Sequence, residues 1–141
     1  FARSHPGGSL GRKLLTRVED VILAGAAVPR VLADASLTEL MREMSAKGLG
    51  AAAIVDAAGK PLGIFTDGDL RRHIEAGTEL RSKTAGELMH TSPRSIRAQA
   101  LAVDAVALME EHHINSVLAV DENGVLVGAL NTHDLLRAKV I

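Results

Sequence analysis

One segment of this chain is written twice. Gly63-Ile64-Phe65-Thr66-Asp67-Gly68-Asp69-Leu70 returns, at an offset of 65 residues, as Gly128-Ala129-Leu130-Asn131-Thr132-His133-Asp134-Leu135. The same offset carries Met44 onto Met109, Leu49 onto Ile114, Asp56 onto Asp121 and Gly59 onto Gly124. After a one-residue gap, Val28-Pro29-Arg30 also resembles Ser92-Pro93-Arg94. Agreement at so many separated positions marks an internal duplication. It constrains the fold more than composition does, because each copy is a unit too small to bury its apolar faces alone.

Each copy reads the same way. Leu37, Leu40, Met41 and Met44 fall at i, i+3, i+4 and i+7, one face of an amphipathic helix, and the second copy has Ala102, Ala105, Val106 and Met109 there. Apolar runs of strand length follow at 51–55 and 116–120. Asp56-Ala57-Ala58-Gly59 and Asp121-Glu122-Asn123-Gly124 then supply turn residues. Second strands are expected at 62–65 and 126–130, and so short a turn predicts antiparallel hairpins. Helices should start near Asp67 and Thr132, and short extended lead-ins are expected at Val31-Leu32 and Ser95-Ile96. The fold class is α/β (α+β), with two pseudo-twofold-related units packed back to back. Ligand sites are expected in the clefts between them. Residues 1–17 read as a linker, 18–82 as the first repeat and 83–141 as the second, with polar residues 77–84 connecting them.

Composition narrows the function. The only aromatic residues are Phe1 and Phe65, so the core is built from Ala, Val, Leu, Ile and Met. Base-stacking recognition of nucleic acid lacks its platforms. Sixteen basic residues stand against 17 acidic ones, for a net charge of −1, so no global field attracts polyanions. With no cysteine, disulfides and thiolate metal sites are excluded. No apolar run approaches the ~20 residues of a membrane span, and the first residues have no apolar signal stretch. A cytoplasmic protein is expected. The absence of an initiator Met suggests that Phe1 is a cut end within a longer chain.

The repeat resembles the CBS motif, and the tandem pair resembles a CBS pair (Bateman module), over roughly residues 18–138. The resemblance rests on an apolar strand running into an Asp turn and on the Gly-x-x-Thr-x-x-Asp pattern. The first is Ala53-Ile54-Val55-Asp56 and Leu118-Ala119-Val120-Asp121; the second is Gly63, Thr66 and Asp69. Ser4-His5-Pro6-Gly7-Gly8-Ser9-Leu10-Gly11-Arg12-Lys13-Leu14-Leu15, then Val18-Glu19-Asp20-Val21-Ile22, resembles the junction after the sugar-isomerase (SIS) domain of arabinose-5-phosphate isomerases. Gly63–Arg72 and His133-Asp134-Leu135-Leu136-Arg137-Ala138 also match that family. The resemblance implies a bacterial enzyme that interconverts D-ribulose 5-phosphate and D-arabinose 5-phosphate, on the route to Kdo of lipopolysaccharide or capsule. Its SIS domain would precede Phe1.

Thr66 and Asp69 are the sharpest candidate pair. A Thr hydroxyl and backbone N–H groups at a helix N-terminus can hold a phosphate, and Asp69 can accept both hydroxyls of a ribose cis-diol. The resemblance implies the same, since CBS pairs use the matching Thr and Asp in this way. Thr-x-x-Asp is equally a capping box, and capping alone would explain both residues. In the second copy Asn131 stands for the Thr while Asp134 remains, so the two clefts should be unequal and one occupied site per chain is expected. Arg71, with Arg72 and His73, can reach an anionic group or form a solvated helix face. His5 resembles the active-site His of the isomerase family, able to shuttle protons between C1 and C2 in the full-length enzyme but not in this chain alone. The adjacent His112 and His113 sit near a helix C-terminus and are weak evidence for a metal. His90 and His133 are read as surface or cap. No metal and no resident cofactor are expected.

Three functions follow from these residues. The first is the regulatory CBS pair of an arabinose-5-phosphate isomerase, sensing a nucleotide or a nucleotide sugar such as CMP-Kdo. The second is a ligand-free assembly module, a CBS-pair dimer that helps hold a tetramer of SIS domains together. The third is a CBS regulator of some other protein, against which the Ser4–Leu15 junction argues. Catalysis by this chain alone is not expected, because Thr66, Asp69 and Asp134 offer neither a nucleophile–base set nor a metal cage. Nucleic-acid and membrane partners are not expected.

Overall fold

The computed structural model describes residues 14–24, 27–48, 50–91 and 93–138. A 3-10 turn at Val18–Asp20 leads to β1 (Leu23–Ala24), β2 (Arg30–Leu32), α1 (Leu37–Lys47), β3 (Ala51–Val55), β4 (Pro61–Thr66) and α2 (Asp67–Glu75). Then come α3 (Ala85–Leu88), β5 (His90–Thr91), β6 (Ser95–Arg97), α4 (Ala102–His112), β7 (Ser116–Val120), β8 (Leu126–Asn131) and α5 (Thr132–Arg137). The expected helices, hairpins and lead-in strands are all present, and α1 and α4 keep the offset of the repeat.

Local chemistry explains these boundaries. The Ser36 hydroxyl accepts the Glu39 N–H at 3.2 Å and opens α1; Gly48 closes it in the left-handed region at φ 68°. The hairpin turns are held alike: Asp56 Oδ1 accepts the N–H groups of Ala58 and Lys60, both at 2.9 Å. Asp121 Oδ1 accepts those of Asn123 and Val125, at 2.8 and 3.0 Å. Gly59 and Gly124 complete the turns at φ 86° and 82°, where a side chain would be strained.

The sheets depart from a simple pair of separate units. One has the order β2-β3-β4-β5 and the other β1-β8-β7-β6. Each is built on one hairpin with a parallel lead-in strand (β2 on β3, β6 on β7). The fourth strand of each comes from the other side of the duplication: β1 lies antiparallel to β8 through Leu23↔Ala129, and β5 to β4 through Ile64↔His90. Sequence reasoning did not anticipate β1, α3 or β5, because elements of two to four residues carry no periodicity.

The exchanged segments also fill the cores. In the second repeat, Ala102, Ala105 and Met109 of α4 pack with Leu130, Leu135 and the fully buried Val18. Val18 N–H donates to the Ala100 carbonyl at 2.8 Å. The Ala-rich helix leaves room that Val18 occupies. In the first repeat, Leu40 and Met44 pack with Ile54 and Phe65, and Ala85 and Leu88 of α3 close the cluster. A third cluster joins the repeats: Val28, Ala53 and Val55 against Leu118, Leu126 and Ala129. A backbone hydrogen bond joins the hairpin tips, Leu126 N–H to the Gly59 carbonyl at 2.9 Å. The reciprocal bond would need an N–H at Pro61, which matches Leu126 and has none.

Candidate functional site: the cleft between the repeats

Both copies of the duplicated motif open onto one continuous cleft of about 1000 Å³, at the upper end of the usual range for small-molecule sites. The first copy lines it with Gly50, Thr66, Asp67, Gly68, Asp69, Arg71 and Arg72. The second contributes Asn115, Asn131, Thr132 and His133. His112 and His113 reach it from the end of α4, and His90 and Arg94 from β5 and the stretch that follows.

The first motif is tightly organised. Thr66 is the N-cap of α2: its hydroxyl accepts the Asp69 N–H at 3.1 Å, and Asp69 Oδ2 accepts the Thr66 N–H at 3.0 Å. The Thr66 hydroxyl also donates to the same Asp69 oxygen at 3.1 Å. Asp69 Oδ1 accepts from Arg72 Nη2. The Asp67 N–H is fixed on the Gly50 carbonyl at 3.1 Å, which ties the start of α2 to the start of β3. Asp69 is one of two buried charged residues among those described, at 8% exposure; the other is Asp134. The capping box is therefore real, and the capped turn still lies along the cleft wall.

The second motif repeats the cap but not the exposure to the cleft. Asn131 Oδ1 accepts the Asp134 N–H at 3.0 Å, Asp134 Oδ2 accepts the Asn131 N–H at 2.8 Å, and Arg137 pairs with Asp134 Oδ1. Asn131 lines the cleft, but Asp134 and Arg137 do not. The helix behind this cap has six residues against nine for α2, so fewer aligned peptide dipoles stand behind its N-terminus. The two halves of the cleft are unequal: Thr66, Asp69 and Arg72 all line it, whereas of their counterparts only Asn131 does.

The charge distribution suits an anion. Three arginines, Arg71, Arg72 and Arg94, face two carboxylates, Asp67 and Asp69, and four histidines add donors. His90 and His133, read from sequence as surface or cap, are exposed and also line the cleft. The sequence did hold a signal for this: His133 replaces Gly68, His113 replaces Gly48 and Asn115 replaces Gly50 where the copies otherwise agree. Small residues around the first motif face larger polar ones around the second. Among the described residues no cluster of three or more His, Asp or Glu could hold a metal ion, and no helix is long and apolar enough to cross a membrane. His5 lies outside the described residues.

Residues 18–76 and 85–141 each match the family model of the CBS domain. Arabinose 5-phosphate isomerase KdsD of Pseudomonas aeruginosa is 48% identical over 141 residues, 100% of this chain and 43% of that protein. The chain thus spans less than half the length of this curated relative. CBS domain protein PAE2072 from Pyrobaculum aerophilum, complexed with AMP, superposes with a TM-score of 0.76 at 21% identity, covering 84% of this chain and 89% of that one. The CBS domain pair of protein MJ0100, in complex with 5-methylthioadenosine and S-adenosyl-L-methionine, gives a TM-score of 0.76 at 22% identity over 86% of this chain and 94% of that one.

Proposed function

Because this chain belongs to the CBS domain family and carries the domain twice, we propose that it is the regulatory pair of an arabinose 5-phosphate isomerase. That enzyme interconverts D-ribulose 5-phosphate and D-arabinose 5-phosphate. Identity at the level of the Pseudomonas aeruginosa relative, across all 141 residues, supports this assignment. In the whole enzyme, a cytoplasmic one, residues 1–17 join the pair to a SIS domain, and His5 serves that domain as a proton shuttle between C1 and C2.

The effector is a nucleotide or nucleotide sugar, CMP-Kdo being the feedback candidate, bound in the cleft. The observation that carries this reading is the placement of Thr66, Asp69 and Arg71 on one cleft wall, at the N-terminus of a nine-residue helix. There a phosphate meets the positive end of α2 and Arg71, and a ribose diol meets Asp69. Asn131 contributes from the facing wall, and Asp134 acts behind it as a cap. An effector that prefers one spacing of the repeats shifts that spacing. Because β1 pairs with β8, the shift is carried into the segment that leads toward residue 1.

A thermal-shift panel with AMP, ATP, CMP, CTP, CMP-Kdo and arabinose 5-phosphate tests the reading. A ligand at 100 times its Kd stabilises by about 2.7 kcal/mol, and the gain should vanish in Asp69→Asn, whose amide oxygen can still accept the Thr66 N–H. No shift with any of the six would overturn the sensor reading. Assembly would then be the function. Ile74 of α2 and Leu136 of α5, 60% and 52% exposed, are the apolar groups a self-associating pair would cover.

A further inference from the structure

The Asp69 carboxylate is not open to a ligand as it stands. Oδ2 is filled by the Thr66 N–H and hydroxyl, and Oδ1, the oxygen left for a diol, carries the Arg72 guanidinium. Asp69 is enclosed and Arg72 lies largely in solvent: their side chains are 10% and 69% exposed. The guanidinium also folds back over the first turn of α2. A methyl at Gly68 would stand 3.4 Å from Arg72 Nη1 and 3.6 Å from both Nη2 and Thr66 Oγ1. Arg72 therefore covers two things at once, the diol acceptor and the N-terminal turn where an anion would sit.

We propose that Arg72 is an exchangeable latch that makes the cleft select phosphorylated nucleosides over nucleosides. This rests on the nucleotide reading above. A nucleoside diol must evict Arg72 from Oδ1 and offers no anion in return, so the displaced cation is left without that partner in a cleft that Arg71 and Arg94 also line. A nucleotide evicts it equally but brings a phosphate to the turn beneath it. The guanidinium then moves a short distance from carboxylate to phosphate and keeps an anionic partner throughout. Arg72 is thus a specificity-determining residue, distinct from the Thr66–Asp69 pair that shapes the turn. Arg137 makes the same contact to Asp134 outside the cleft and provides an internal control.

The experiment is calorimetric titration of this chain with AMP, adenosine, CMP and cytidine, in wild type, Arg72→Gln and Arg137→Gln. In Arg72→Gln the monophosphate that binds should weaken about tenfold or more, the range for a lost hydrogen bond to a charged group. Its nucleoside should bind about 2- to 5-fold tighter, because a solvent-exposed ion pair no longer competes for Oδ1. Arg137→Gln should move neither. If Arg72→Gln weakens nucleoside and nucleotide by the same factor, Arg72 only props Asp69 and the latch is wrong; unchanged affinities refute it equally. If wild type binds none of the four, the latch falls, whereas the nucleotide reading falls only if the wider thermal-shift panel is silent as well.

Discussion

His113 is the one described non-glycine residue with positive φ, at φ 53° and ψ 44°, and it ends α4 where Gly48 ends α1. An L residue in the left-handed region costs about 1–2 kcal/mol relative to glycine. The bonds that close the helix are backbone ones: His113 N–H to the Glu110 carbonyl at 3.4 Å and Ile114 N–H to the Met109 carbonyl at 3.0 Å. They survive any side-chain change, and the exposed imidazole adds little to the core. His113→Gly therefore removes the conformational penalty at the expense of about 0.5–1 kcal/mol of extra chain entropy in the unfolded state. The net expectation is stabilisation by roughly 0.5–1 kcal/mol, a rise of about 2–4 °C in Tm for a chain of this size. Circular dichroism melts of wild type, His113→Gly and His112→Gly give the answer. The neighbour substitution falls on the last residue of the helix and should lower stability by about 0.3–0.5 kcal/mol. Because His113 lines the cleft, the stabilised variant should also bind AMP more weakly than wild type. A lower midpoint for His113→Gly would refute the reasoning, since it would mean that the imidazole makes contacts worth more than the backbone penalty.

Three other changes probe the frame around the cleft. Gly63→Ala places a methyl 2.4 Å from Met89 Sδ and 2.8 Å from the His90 carbonyl; urea unfolding should show a loss of about 1–3 kcal/mol as β5 is pushed from β4. Ala105→Leu restores the residue that α1 has at Leu40, but Val18 already fills that space. A loss of about 1–3 kcal/mol is expected, and unchanged stability would mean that the two cores are interchangeable. Hydrogen bonds from the Thr84 backbone and hydroxyl hold the exposed Glu87 carboxyl below its ordinary value of 4.5. A carboxyl depressed in the folded state stabilises above its unfolded pKa, and that contribution is lost as pH falls through the folded one. The Tm difference between wild type and Glu87→Gln should therefore be largest near neutrality and shrink below about pH 4.5; a gap constant with pH would show that the cap does not depend on charge.

The hairpins, both major helices and the Thr66 cap were legible because each rests on local chemistry. Asp56 and Asp121 bind their own turns, and Leu40 and Met44 define a face by spacing alone. What stayed hidden is non-local. Leu23-Ala24 and His90-Thr91 are too short to announce strands, and nothing near them in sequence says which sheet each will join. Arg72 was visible as a charge beside the motif, but its position across Gly68 follows from how α2 begins against Gly50. The cap of α4 shows the same limit from the other side: Leu101 stands where Ser36 stands in α1 and makes no side-chain cap. The Arg17↔Leu101 bridge, with Ala102 N–H on the Thr16 carbonyl at 2.8 Å, holds that helix end from afar.

The crossing of β1 and β5 between sheets sets an order of events during synthesis. The first sheet can be completed as soon as His90-Thr91 has left the ribosome, when most of the second repeat is still unmade. Leu23 and Ala24 must wait for a partner strand about a hundred residues further along the chain, and pairings that distant close slowly. The last sheet to form is thus the one that holds Leu23 and Ala24. A nascent chain arrested before β8 would carry a finished first sheet and an unpaired leading strand. Thr16 to Glu19 can dock on residues 98–102 first, and pairing of Leu23-Ala24 then reports that translation has passed residue 129.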